Sequence, residues 1–400
     1  GPHLQSVQVA PMNLPVNILI LLFSFLPLVG AHGEDTPAPA PASDQVPIPD
    51  PPQIQAKSYL LMDNNSGTIL AEYNADERLE PASLTKIMAA YVIFRELGRG
   101  NLKLEDEVLI SEKAWRTGGS KMFVEVGTRV AVKDLLKGMI IQSGNDASVA
   151  LAEHIAGSEA TFAELMNTHA QRLGMTNSHF MNADGLPHPE HYTTARDMAL
   201  VTAATIREFP ELYAWYSERE FVFNGIKQGN RNMLLYQDDS VDGVKTGHTE
   251  AAGYCLVASS KRDDMRLTSV VLGSTGPKAR AEASLALLNY GFRFYESHKL
   301  YPGGEAVETL RVWKGEITDL PVGPAEDVYV TIPRRQYNKL SARIEKNADI
   351  SAPVARGTAV GSIIVNLDDK EVLRAPLVAL QDVAEGGLWE LARDSVLQWF

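Results

Sequence analysis

Two hydrophobic periods alternate along most of the chain. Lys57–Asp63 and Thr68–Tyr73 read as strands joined by the turn Asn64-Asn65-Ser66-Gly67. From Ser83 to Leu97 the apolar residues Leu84, Ile87, Met88, Tyr91, Val92 and Phe94 nearly encircle a helix, which predicts burial on all sides. Two more helices, Val132–Ile141 and Asp146–Ala156, flank Ser143. Strands follow at Ala252–Ser259 and Arg266–Leu272, and then a helix at Ala279–Tyr290. From about Glu296 to Leu380 a period of two takes over. Val328, Val330 and Ile332 alternate with Tyr329 and Thr331, and Ile363, Val365 and Leu367 alternate with Ser362, Ile364 and Asn366 before Asp368-Asp369 turns the chain. Short strands with turn signals predict a small all-β sandwich. Gly387–Phe400 reads as an amphipathic helix, with Leu388, Trp389, Ala392, Val396, Trp399 and Phe400 on one face and Glu390, Asp394 and Gln398 opposite.

The N-terminal stretch follows other rules. Met12 opens a segment with an apolar run from Ile18 to Val29, ending in Val29-Gly30-Ala31. That is the length of a secretory signal and too short to span a bilayer, although no Lys or Arg lies between Met12 and the run. The residues before Met12 read as an upstream remnant. Thr36-Pro37-Ala38-Pro39-Ala40-Pro41-Ala42, then Pro47, Pro49, Pro51 and Pro52, predict an extended linker. The expected organisation is remnant and signal over 1–31, linker over 32–55, a first folded domain over 56–295, the β-domain over 296–385 and the terminal helix over 386–400.

Composition narrows the function. Hydrophobic residues make up 45 % of the 400, enough for a sizeable core. The net charge of -13 argues against nucleic acid as the main partner, because phosphate binding needs clustered Lys and Arg. The single cysteine, Cys255, excludes an intramolecular disulfide and sits in the apolar run Tyr254-Cys255-Leu256-Val257-Ala258, where it reads as a buried strand residue.

Three short motifs bear on chemistry. In Ser83-Leu84-Thr85-Lys86, serine and lysine three apart on a helix share a face. The helix N-terminus favours a developing alkoxide, and apolar neighbours should depress the lysine pKa towards that of a general base. Ser143-Gly144-Asn145 lies in a connection between helices, where a loop can push a hydroxyl and a carboxamide into a cleft. Lys245-Thr246-Gly247, on an edge strand, would add a cation, a hydroxyl and a backbone open to close approach. Each motif alone is an ordinary cap or turn. In this order, with gaps of 60 (143 - 83) and 102 (245 - 143) residues, they are far more specific.

The ordered set resembles that of penicillin-binding proteins and serine β-lactamases. Pro81-Ala82-Ser83-Leu84-Thr85-Lys86, Gln142-Ser143-Gly144-Asn145-Asp146, Thr194-Ala195-Arg196-Asp197-Met198 and Asp242-Gly243-Val244-Lys245-Thr246-Gly247-His248-Thr249 are similar to the low-molecular-mass D-alanyl-D-alanine carboxypeptidases of the penicillin-binding protein 5/6 subgroup. The resemblance implies an α/β (α+β) transpeptidase-like domain, followed by the β-sandwich and the terminal helix. It implies Ser83 as nucleophile, Lys86 as its base, Ser143 as proton relay, Asn145 as a substrate-backbone holder and Lys245 as electrostatic support. The amides of Ser83 and His248 would form the oxyanion hole. Thr246 and Arg280 would contact the terminal carboxylate, and Gly247 would line the same strand. It further implies peptidoglycan pentapeptide stems and β-lactams as ligands, a membrane surface met by the C-terminal helix, no cofactor or metal, and a periplasmic location on the outer face of the inner membrane.

Three weaker signals count for less. His188-Pro189-Glu190-His191 has the residues of a zinc site, but proline breaks the helix that such a site needs. Pro210-Glu211-Leu212 resembles the deacylating segment of class A β-lactamases with Phe209 where the glutamate should be. In the terminal helix Arg393 is the only cation, so attraction to anionic lipid is not expected. A β-lactamase and a non-catalytic wall-binding protein remain as alternatives.

Overall fold

The computed structural model describes residues 5–8 and 47–400. The expected signal and the first part of the expected linker lie outside the described residues. Residues 49–297 form one compact unit, and His298–Phe400 belong to a second.

The first unit is built on an antiparallel five-stranded sheet. Its strands are β1 (Ser58–Asp63), β2 (Ile69–Tyr73), β3 (Val241–Thr249), β4 (Gly253–Arg262) and β5 (Met265–Ser274), in spatial order β2-β1-β5-β4-β3. Side chains alternate across a strand, so β1 and β5 each feed two layers. Leu60, Met62, Val270 and Leu272 join the main core, whereas Leu61 and Leu267 face Gly291. Gly291 belongs to the long helix Pro277–Phe294, which packs on β4 and β5. Both sheet faces are therefore buried, and β4 is continuously apolar from Cys255 to Ala258. Cys255 is fully buried there, and burial pushes its thiol up to about 11.

The main core is helical. Helix α1 (Thr85–Gly98) is buried at every position from Thr85 to Phe94, as its encircling apolar pattern predicts. It is surrounded by α2 (Val132–Ile141), α3 (Asn145–Ala156), α4 (Glu159–Arg172) and α5 (Ala195–Glu208). Each fully buried Leu, Ile, Met or Phe contributes about 1.5–3 kcal/mol, so this cluster makes α1 a rigid mount. The Thr194–Asp197 segment has a plain structural use. The Thr194 hydroxyl caps α5 by accepting from Asp197 N, and the Asp197 carboxylate accepts from Asn177 N and the Ser178 hydroxyl.

The second unit is β-rich. One hydrogen-bonded sheet of seven strands includes Glu308–Trp313, Asp319–Gly323, Leu340–Lys346, Ala359–Leu367 and Lys370–Ala379, with the short Gln5–Gln8 on one edge. The expected remnant thus contributes a strand. The predicted turn at Asp368-Asp369 stands, with Leu367 opposite Lys370. Val330 and Ile332, from the separate strand Val328–Pro333, share a core with Val312, Val322, Ile363 and Val365. The two layers of the predicted sandwich are therefore a large sheet and a small second one.

The terminal helix, Leu388–Leu397, departs from expectation on its polar side. Asp394 does not face solvent. It is fully buried and accepts from Lys314 N at 2.6 Å, Arg393 Nε at 2.8 Å and Arg311 Nη2 at 3.4 Å. Its carboxyl is held below its ordinary range chiefly by the hydrogen bond from Arg393. The helix docks on its own β-domain through this carboxylate and leaves Leu388, Trp389, Val396, Trp399 and Phe400 exposed. No helix among the described residues is long and apolar enough to cross a membrane.

Candidate active site

Ser83 does not lie within α1 but in a 3-10 turn, Ala82–Leu84, that leads into it. Ala82 takes φ +50°, a left-handed conformation that costs a non-glycine residue about 1–3 kcal/mol. Two glycines explain how such a turn is accommodated. A Cβ on Gly185 would lie 1.8 Å from Ala82 O. One on Gly247 would lie 3.0 Å from Pro81 O and 3.1 Å from Ser83 N. Backbone from two distant segments therefore presses directly on the turn.

Lys86, one helical turn on, is fully buried. Its Nζ lies 2.9 Å from Ser83 Oγ and donates to Asn145 Oδ1 at 2.6 Å and Asp184 O at 3.2 Å. Burial drives its pKa from 10.5 to about 7, with Arg231 pushing the same way and Asp184 and Asp146 opposing. A neutral amine beside a serine hydroxyl is a ready base.

Ser143 and Asn145 come from the connection between α2 and α3. Ser143 has φ +70°, and its buried Oγ makes no hydrogen bond among the described residues. Asn145 opens α3, and its side-chain amide donates to Gly118 O at 2.8 Å, which leaves its carbonyl for Lys86. Asp146 secures the wall opposite by accepting from Met122 N at 2.9 Å, Phe123 N at 2.9 Å and Val124 N at 3.1 Å. Phe123 too has a positive φ, of 69°. Left-handed residues thus cluster around one cleft.

The third wall is the edge strand β3. Lys245 and Thr246 are buried on it, and Lys245 Nζ donates to Thr246 O at 3.0 Å. Burial holds the Lys245 pKa well below its ordinary value, helped by Lys86, Arg231 and Arg280. Arg280, on the helix after β5, is not a solvated arginine. It is buried, donates to Gly247 O at 3.3 Å and lies over the Tyr254 ring. The exposed His248 ring stacks on the same Tyr254, with centroids 4.0 Å apart. The guanidiniums of Arg231 and Arg280, which act on each other and on Lys245, make this wall favourable to an anion.

With this geometry in place, comparison with known proteins is decisive. Residues 45–276 match the D-alanyl-D-alanine carboxypeptidase family, Peptidase S11, and residues 295–385 match the C-terminal domain of penicillin-binding protein 5. The chain belongs to the D-alanyl-D-alanine carboxypeptidase family. It is 45 % identical over 361 residues to the D-alanyl-D-alanine carboxypeptidase DacC of Escherichia coli, covering 87 % of this chain and 90 % of that one. Among solved structures, penicillin-binding protein 5 of Haemophilus influenzae is 44 % identical with a TM-score of 0.77, covering 84 % of this chain and 99 % of that one. The carboxypeptidase DacD of Francisella tularensis is 36 % identical with a TM-score of 0.69, covering 86 % and 97 %.

For a carboxypeptidase of this family, the sequence motifs left some cleft residues unmarked. Arg231, in the polar stretch before β3, donates to Ser120 Oγ at 2.7 Å and acts electrostatically on Lys86, Lys245 and Arg280. No spacing or periodicity singles it out. Asp184 supplies the carbonyl that meets Lys86, and its buried carboxyl is pushed up by desolvation. Asp184-Gly185 is a turn signal, but nothing local says which helix the turn will meet. Glu211, near the place of a deacylating glutamate in the weak match, is exposed.

Proposed function

We propose that this chain is a serine D-alanyl-D-alanine carboxypeptidase that removes the terminal D-alanine from peptidoglycan pentapeptide stems through an acyl-enzyme on Ser83. The observation that carries this is the buried Lys86 amine, which joins Ser83 Oγ at 2.9 Å to Asn145 Oδ1 at 2.6 Å. Neutral Lys86 takes the Ser83 proton as Oγ attacks the carbonyl between the two D-alanines. The amides of Ser83 and His248 hold the resulting oxyanion, and one such donor is worth about 3–4 kcal/mol in acyl transfer. Asn145 holds the substrate backbone. Ser143, whose hydroxyl has no hydrogen-bond partner among the described residues, passes the proton from Lys86 to the departing D-alanine nitrogen. Water then cleaves the ester by the reverse proton route. Thr246 and Arg280 bind the terminal carboxylate, Lys245 supports the proton relay electrostatically, and Gly247 keeps β3 close to the nucleophile turn. Penicillins carry the same carboxylate and a strained amide, so they acylate Ser83 and leave slowly.

The wider organisation follows from the same reading. The first domain spans 56–295, the β-domain 296–385 and the terminal helix 386–400, after a signal and linker. The reading includes a peripheral position on the outer face of the inner membrane, in the periplasm; the exposed Trp389, Trp399 and Phe400, which suit a membrane interface, support it.

Intact mass after brief and prolonged exposure to benzylpenicillin tests the catalytic reading. A one-to-one adduct that persists and is absent in Ser83→Ala, with D-alanine released from pentapeptide only by the parent, is the expected result. Rapid drug consumption without a lasting adduct would make the protein a β-lactamase. No adduct and no consumption would leave a fold without a working site.

A further inference from the structure

His191 stands behind the nucleophile rather than in the cleft, and no step above uses it. Its segment leaves and returns through paired backbone. His179 bonds Tyr192 in both directions, and Thr193 bonds Leu79, just before the nucleophile turn. The far end of this loop delivers Asp184 O to Lys86 at 3.2 Å and packs Gly185 against Ala82. Between base and tip, the buried His191 ring makes two hydrogen bonds. Nδ1 meets Met181 N at 2.9 Å, and Nε2 meets Thr85 Oγ1 at 2.7 Å.

A backbone N–H can only donate, so Nδ1 must be bare and the ring proton must sit on Nε2, donating to Thr85. An imidazolium would set two N–H groups against each other at Nδ1. The neighbourhood keeps the ring neutral. The Phe180 ring packs edge-to-face with it, centroids 5.6 Å apart, and burial, followed by His179 and His188, lowers the pKa to about 4.

We propose that His191 is a positioning residue for acylation, a neutral strut between the 181–191 loop and Thr85 that holds the Asp184 carbonyl on Lys86 and the nucleophile turn in register. Thr85 is the link because it lies between Ser83 and Lys86 and is itself fully buried. Without the strut the loop tip relaxes, Lys86 loses a fixed acceptor, and water reaches its amine. The inference rests on the assignment of Ser83 and Lys86 above.

The test compares the parent with His191→Asn, Thr85→Val and Thr85→Ser. Asparagine can keep an acceptor for Met181 but cannot reach Thr85. Second-order acylation by benzylpenicillin is followed from pH 5.5 to 9, beside thermal melting. The expected result is acylation at least about tenfold slower in His191→Asn and Thr85→Val at pH 8.5, with the acid limb moved up as Nζ is hydrated. Thr85→Ser should recover most of the rate. Unchanged rate and acid limb in a folded Thr85→Val would overturn the proposal, as would Thr85→Ser as slow as Thr85→Val. If His191→Asn does not fold, the threonine pair decides alone. A parent that acylates nowhere would instead sink the assignment of Ser83.

Discussion

The Nζ of Lys86 stands 2.9 Å from the Oγ of Ser83, and among the described residues no carboxylate is hydrogen-bonded to the amine. Its two acceptors, Asn145 Oδ1 and Asp184 O, are neutral oxygens already fixed by the fold, which leaves the lone pair of the neutral amine for the nucleophile's proton.

This arrangement predicts how rate depends on pH. With the Lys86 pKa near 7, acylation should rise about tenfold per pH unit below that value and level off above it. Stopped-flow acylation by benzylpenicillin from pH 5 to 9 checks this. A limb near 10 would show that the amine is hydrated. The same depression affects stability. The unfolded chain binds the extra proton between about 7 and 10.5, so this residue's contribution to stability rises with pH across that window and is lost as pH falls to about 7.

Gly185→Ala should cripple the site without touching a catalytic group. Its Cβ would fall 1.8 Å from Ala82 O at a residue with φ +94°. Both backbone strain and displacement of the turn follow, so a stability loss of roughly 2–4 kcal/mol and acylation slowed by about a hundredfold are expected. Urea unfolding and adduct formation at matched folded fraction separate the two effects.

Asp146→Asn should loosen the opposite wall. The carboxylate takes three backbone N–H groups from residues 122–124, and an amide can accept with only one end. A loss of about 1.5–3 kcal/mol is expected, with faster hydrogen exchange at Met122, Phe123 and Val124. Exchange at α1 should stay unchanged, and acceleration there too would point to global unfolding.

The motifs made Ser83, Lys86, Ser143, Asn145 and Lys245 legible because each motif is short and local and the three occur in one order along the chain. Arg231, Asp184 and His191 escaped because their partners are far away in sequence, with Asp184 meeting Lys86 across 98 residues and His191 meeting Thr85 across 106. Strand and helix placement followed period, yet the start of α1 did not. The left-handed Ala82 is imposed by Gly185 and Gly247, which no local pattern at Ser83 reveals. Asp394 misled for a related reason. A helical projection sorts side chains by polarity, and this helix docks through a polar one.

For that helix, Asp394→Ala should release residues 386–400 from the β-domain while leaving penicillin acylation intact. Limited proteolysis with chymotrypsin should then clip near Trp389 faster than in the parent. Equal cleavage would mean that the Arg311 and Lys314 contacts do not hold the helix.

Cys255 lies sealed in the central sheet with its thiol protonated at any physiological pH, and it has no second cysteine to join. Within this sequence no intramolecular disulfide can form, so each of the two folded units is held by burial and polar contacts alone, and adding a thiol reductant should leave the melting temperature unchanged.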